Sequence, residues 1–251
     1  MNHYSMKSTL RKLAILSCAL TSLSTLSAAV FTITSSTTDT DMYDNESQTF
    51  IGQPTLRAGY NTTNGFGSVF YIFSMPSITS GEVVTEASLS FSLTQVQTFG
   101  ADLANADLFA LDYRNTTTIT LGDHYHGAFA GDVTHTGIQD DIMTRTTPTG
   151  TISTDSTGSG NVLSYINTQI GAGATVGDYL IFRLNVDDTI AMTSSRYYTL
   201  ATADNSTSEL RPVLSFTTEA AAVPEPSTYT LLTGLASLTL IMVRRHSKKT
   251  A

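Results

Sequence analysis

The chain has 251 residues, with 13 Lys and Arg against 21 Asp and Glu, one cysteine and no tryptophan. A single cysteine excludes a disulfide framework within the chain. Between residues 30 and 222 there are six arginines, no lysine and twenty acids, a net charge of −14, which excludes a surface made for nucleic acid or anionic lipid and favours divalent cations.

The N-terminus reads as an export signal over residues 1–29. Lys7, Arg11 and Lys12 make the positive end, residues 13–26 an apolar stretch diluted by Ser and Thr, and Ser27-Ala28-Ala29 supplies small residues for cleavage after Ala29. Cys18 lies inside the apolar stretch, so cleavage leaves no thiol and no thiolate chemistry. The body, 30–222, is the length of one domain with a sizeable core.

Along the body the pattern is that of short strands divided by Gly, Asn, Asp, Ser and Thr. The first acidic stretch places Asp39, Asp41 and Asp44 on a segment where alternate carboxylates supply hard oxygen ligands for Ca²⁺, or form a solvated loop. Residues 68–73 are an apolar and aromatic run. From 87 to 94 the alternation is strict, with Ala87, Leu89, Phe91 and Leu93 on one face, and 107–113 alternates more loosely. His124 and His126, two apart, share one face of an extended segment and suit a metal, with Asp132 or His135 to complete the shell. A polar loop is the plainer reading of the same residues, and Asp140 and Asp141 follow them.

Val162, Leu163, Ile166 and Ile170 predict one short helix, capped by Ser159 or Asn161 and stopped by Gly171. Residues 179–186 and 212–216 are further strands. Asp187-Asp188, after the first of these, is another source of ligands. With no Trp, sugar-stacking platforms are restricted to tyrosines such as Tyr60, Tyr125, Tyr197 and Tyr198. The expected fold class is all-β: a single jelly-roll-like β-sandwich with one short helix.

The C-terminus, 223–251, has three parts in order. Val223-Pro224-Glu225-Pro226 cannot continue a helix or a central strand and makes an extended handle. Residues 227–243 give about 25 Å of helix at ~1.5 Å per residue, enough for a thin bilayer, with the transmembrane helix expected at 228–243. The basic cluster Arg244, Arg245, Lys248 and Lys249 holds the end on the cytoplasmic side. This tripartite order resembles the PEP-CTERM sorting signal of Gram-negative bacteria, with Pro224-Glu225-Pro226 as its motif. The resemblance implies an exosortase-like membrane enzyme as partner and an association with exopolysaccharide.

The body resembles the DNRLRE-type domain, a secreted jelly-roll sandwich also grouped with carbohydrate-binding modules. Thr55-Leu56-Arg57-Ala58-Gly59, Phe70-Tyr71-Ile72-Phe73-Ser74-Met75-Pro76, residues 84–91 and Leu210-Arg211-Pro212-Val213-Leu214 carry the likeness. The chain departs from it at Gly67-Ser68-Val69, where the family carries an arginine. Gly-x-Ser-x-Gly elbows, phosphate loops, His-Glu-x-x-His and a Cys nucleophile are all missing.

These readings point to a non-enzymatic protein exported through the inner membrane. It would be held there by the tail until processing, and act as a structural or adhesive component of the cell surface or matrix. A carbohydrate-binding module for an acidic or marine polysaccharide is the alternative, and a polysaccharide-degrading enzyme using His124, His126 and Tyr125 stands behind both.

Overall fold

The computed structural model describes residues 28–45, 49–98, 103–189 and 194–220. The leader up to residue 27, the sorting motif Val223-Pro224-Glu225-Pro226 and the apolar segment 228–243 lie outside the described residues. The chain divides after Glu219, and all but the last residue of the sheet lies in the unit that ends there. Among the described residues no helix is long and apolar enough to cross a membrane.

Among the described residues the fold is all-β, a curled antiparallel sheet with one α-helix. The strands are β1 (Ala29–Thr34), β2 (Thr40–Tyr43), β3 (Thr49–Ile51), β4 (Thr55–Asn61), β5 (Gly65–Ser74), β6 (Glu82–Gln97), β7 (Ala106–Arg114), β8 (Thr136–Met143), β9 (Gly150–Ser153), β10 (Tyr179–Val186), β11 (Arg196–Ala201) and β12 (Val213–Ala220). The helix α1 (Ser156–Ala172) lies between β9 and β10. Strand order is β1-β12-β6-β11-β4-β5-β10-β7-β8, with β2 joined to β5 and β3, and β9 to β6. The strands expected from the sequence are β6 and β7, from alternation, and β5, β10 and β12, from apolar and β-prone runs. The others are Thr- and Asp-rich or short, and are drawn into extended form by neighbours on the sheet rather than by their own pattern.

Strict alternation in β6 has its expected consequence: Leu89, Phe91 and Leu93 are buried in the main core. β10 is buried on both faces. Leu180, Phe182, Leu184 and Val186 join the main core, while Ile181 packs with Phe70, Ile72, Leu111 and Ile119 on the other side. A run that is apolar at nearly every position is the sign of a strand covered twice. The second cover is the segment between β7 and β8, which folds back over the face of β5, β10 and β7. Gly67 has no room for a side chain. A Cβ there would meet the Tyr43 ring at 2.7 Å and the Arg57 carbonyl at 3.0 Å, while the Ser68 hydroxyl donates to the Tyr125 carbonyl at 2.8 Å.

The helix is longer than its apolar spacing suggests. Asp155, not Ser159 or Asn161, is the N-cap, its Oδ1 accepting from the Gly158 N–H at 2.7 Å. The helix passes Gly171 and stops at Gly173, which takes φ 106° as the C-cap. Val162, Tyr165 and Ile166 enter the core. Three amides tie α1 to the sheet. Asn161 Nδ2 donates to the Ile138 carbonyl at 2.7 Å, Gln169 Oε1 accepts from Tyr113 N–H at 3.1 Å, and Asn167 takes both the N–H (3.0 Å) and the carbonyl (2.9 Å) of Val84. Asn167→Ala leaves both groups of a buried residue unpaired. It should cost about 2 kcal/mol and lower the melting temperature by roughly 4–8 °C, with no change in the denaturant slope m.

Candidate functional site

The first acidic segment turns inward. All four residues of β2 are buried, and so is Asp39 before it. Asp39 Oδ1 accepts from Ile72 N–H at 3.0 Å, and Oδ2 from the Ser35 hydroxyl at 2.5 Å and Ala203 N–H at 3.2 Å. Asp41 Oδ1 accepts from Phe50 N–H at 3.3 Å, and Oδ2 from Arg57 N–H at 3.3 Å and the Tyr43 hydroxyl at 3.4 Å. Burial pushes these carboxyls up, Asp39 to about 7 and Asp41 to about 6, against the pull of their hydrogen bonds. The oxygens meant for Ca²⁺ are held by backbone donors of β3, β4, β5 and the turn after β11. Asp39 and Asp41 are thus latches between strands. Asp44 is exposed, 4.0 Å from His126 Nε2.

Among the described residues, His124 and His126 belong to no group of three or more converging ligands. His124 Nε2 donates to the Phe66 carbonyl at 3.0 Å, and burial followed by the neighbouring His126 drives its pKa down to about 4. His126 Nδ1 donates to the Asp188 carbonyl at 2.8 Å, and its ring stacks on Phe66 with centroids 4.2 Å apart. Tyr125 donates its hydroxyl to the Ala128 carbonyl at 3.1 Å. The segment is a cover fastened to the sheet, and its fastener is Arg183 of β10, wholly buried. The guanidinium pairs with Asp132, donates to the Asp123 carbonyl at 2.8 Å and to Asn185 Oδ1 at 3.1 Å, and lies 4.7 Å from the Phe109 ring centre. Burial is the largest influence on Asp132 and opposes its ionisation, but the hydrogen bonds from Arg183, Thr134 N–H and His135, with the Arg183 charge, together outweigh it and hold the carboxyl down at about 2. A second arginine, Arg114 at the end of β7, pairs with Asp123, which also accepts from Thr120 N–H at 2.7 Å.

The four tyrosines do not form a platform. Tyr198 is fully buried in the main core and donates to the Ala104 carbonyl at 2.9 Å, which removes it as a sugar contact. Tyr60 is half-buried, packs against the same core and meets Phe66 edge-on at 5.0 Å. Opposite Gly59 rather than Tyr60 in the β4–β11 register, Tyr197 faces the other way, with the Arg57 guanidinium 4.6 Å above its ring. Tyr125 belongs to the cover.

One group of carboxylates does converge. Asp107, Asp140, Asp141 and Asp187 each present an oxygen within 4.8 Å of the others. Asp107 is the second residue of β7, Asp140 and Asp141 lie on β8, and Asp187 follows β10. Between the pairs Ala106–Met143 and Leu108–Gln139 the β7–β8 ladder shifts, so three residues of β8 stand against Asp107. Asp141 takes φ 51°, a left-handed conformation that aspartate tolerates better than most residues, and its N–H donates to Asp107 Oδ1 at 2.9 Å. In the sequence Asp140 and Asp141 follow the histidines in a stretch that reads as a polar loop, and Asp187 follows a strand. Asp107 had only the look of a strand's first residue.

A cleft of about 330 Å³ lies between the turn after β5 and the C-terminal end of α1. Among its lining residues Glu82 alone is ionisable, and its carboxylate already accepts from the Thr218 hydroxyl at 2.8 Å. No protein-family model matches this chain, and no curated protein matches it.

Proposed function

We propose that the chain is a non-enzymatic, exported protein whose body is a single jelly-roll-like β-sandwich. Its tail is processed by an exosortase-type enzyme in the inner membrane, and the mature protein is a structural or adhesive part of an extracellular polysaccharide layer. The observation that carries this is the ordered tail: Val223-Pro224-Glu225-Pro226, then an apolar stretch, then a basic cluster. The fold supports the reading in two ways. Ala29 pairs with Thr218 in the β1–β12 ladder, so the first and last strands of the body lie side by side. Cleavage after Ala29 would remove a single rung of that ladder. The side chains suited to acid–base chemistry, His124, His126 and Tyr125, are engaged with backbone carbonyls, an arrangement that holds a cover in place rather than one that waits for substrate.

The sandwich reading is supported by the non-sequential neighbours β12–β6, β6–β11 and β10–β7, which are joined by long connections of the Greek-key kind rather than by hairpins. Replacing Pro224, Glu225 and Pro226 together by alanine should leave export intact and stop C-terminal maturation, because a helical handle would merge with the apolar span. An immunoblot of the cell envelope reads this as retention of the larger, membrane-bound form. An unchanged processing pattern would remove the sorting reading.

A further inference from the structure

We propose that Asp107, Asp140, Asp141 and Asp187 form a binding site for a divalent cation of the Ca²⁺ class. Four aspartates with no histidine or cysteine among them make an all-oxygen donor set, which selects hard cations over zinc or copper. Their span suits a Ca²⁺ shell, whose opposed oxygens lie about 4.6–5.2 Å apart at ~2.3–2.6 Å from the ion.

A second observation points to the ligand. Asp107 is fully buried, and no protein donor reaches its Oδ2. Asp187 Oδ1 is a second buried oxygen in the same condition. The strongest charges acting on Asp107 are Asp187 and Asp140, and those on Asp187 are Asp141 and Asp140. Carboxylates placed together beneath the surface require a proton or a cation between them. The surroundings select the cation. Asp140 and Asp141 are exposed and bring two further negative charges to the mouth of the site, where a shared proton would neutralise only one.

The backbone is shaped for this. The shift in the β7–β8 ladder carries Asp140 and Asp141 to Asp107, and the Asp187 N–H is held by the Asn105 carbonyl at 2.9 Å, which fixes the end of β10 beside the start of β7. A cation would therefore tie three strands together at one end of the sheet.

The test uses the full-length chain in mild detergent, stripped with EGTA, and compares CaCl₂ with NaCl at equal ionic strength. Ca²⁺ at about a hundredfold over its Kd should raise the melting temperature by roughly 5–10 °C. The paired variant Asp140→Asn/Asp141→Asn changes only exposed side chains. It should weaken Ca²⁺ binding at least tenfold in calorimetric titration while the EGTA-stripped protein melts no lower than wild type. In Asp107→Asn the new amide can donate to Asp187, so that variant too should stay folded and lose the response. Asp44→Asn should respond like wild type. Equal stabilisation by NaCl would mean charge screening and overturn the site. So would a full Ca²⁺ response in the paired variant, or its loss in Asp44→Asn.

Discussion

Asp132→Ala is expected to destabilise the protein by about 3–5 kcal/mol, because it leaves the Arg183 guanidinium buried without its counter-charge. Arg183 cannot turn to solvent. It is wholly buried, its Nε is bound to Asn185, and the Phe109 and Tyr125 rings lie 4.7 and 5.5 Å from it. The cost should show as a fall of roughly 6–20 °C in melting temperature. Arg183→Met removes the charge and retains an apolar stem, so Asp132→Ala combined with Arg183→Met should cost clearly less than the sum of the two single changes. Additive losses in denaturant unfolding would mean that the pair does not act as a unit. The segment between β7 and β8 should also become the first part of the variant to lose amide-exchange protection, since Arg183 is what fastens it to the sheet.

The sequence showed β6 because one face of that strand meets the core and the other does not, so Leu89, Phe91 and Leu93 alternate with Ser and Thr. It showed β10 as a strand but not its two coverings. Arg183 reads as a break in an apolar run, and its partner Asp132 lies 51 residues earlier in a stretch that reads as a polar loop. The same limit governs the acids. Asp39 and Asp41 sit among Thr and Asp, a composition that suggests water, yet the donors that hold them come from Ile72, Ala203, Phe50 and Arg57. Local pattern reports which face of an element is apolar. It does not report which distant backbone N–H will meet a carboxylate. Hence the histidines and the first acidic segment are visible as residues suited to metals, while the cluster that converges needs Asp107, whose companions stand 33, 34 and 80 positions away, on β8 and just after β10.

Asp39→Ala is expected to cost about 3–5 kcal/mol, since it strands three buried donors at once: Ile72 N–H, Ala203 N–H and the Ser35 hydroxyl. These groups join the lead-in to β2, the middle of β5 and the turn after β11, so the loss should be global and cooperative. Asp39→Asn keeps one acceptor for Ile72 but turns an amide toward the Ala203 N–H, and should cost about 1–3 kcal/mol at pH 5. The two variants differ further in what they reveal about pH. Burial raises the Asp39 carboxyl from 3.8 to about 7, and that of Asp41 to about 6, while Asp204 adds a smaller push on Asp39. The native state therefore holds a proton that the unfolded chain releases above about pH 4. This contribution is complete below the unfolded pKa and is lost as pH rises through 7. His124, driven down to about 4, acts in the opposite sense between about pH 4 and 6.5, but one such group does not cancel two. Wild-type protein should accordingly be more stable at pH 5 than at pH 8 by a few kcal/mol. The gap between wild type and Asp39→Asn should narrow over the same range, because only wild type has a carboxylate to ionise there. Urea midpoints at pH 5, 6, 7 and 8, with Ca²⁺ held constant, measure both. A gap that stays constant or widens with pH would mean that the three donors keep Asp39 ionised throughout, and that burial is the weaker influence on it.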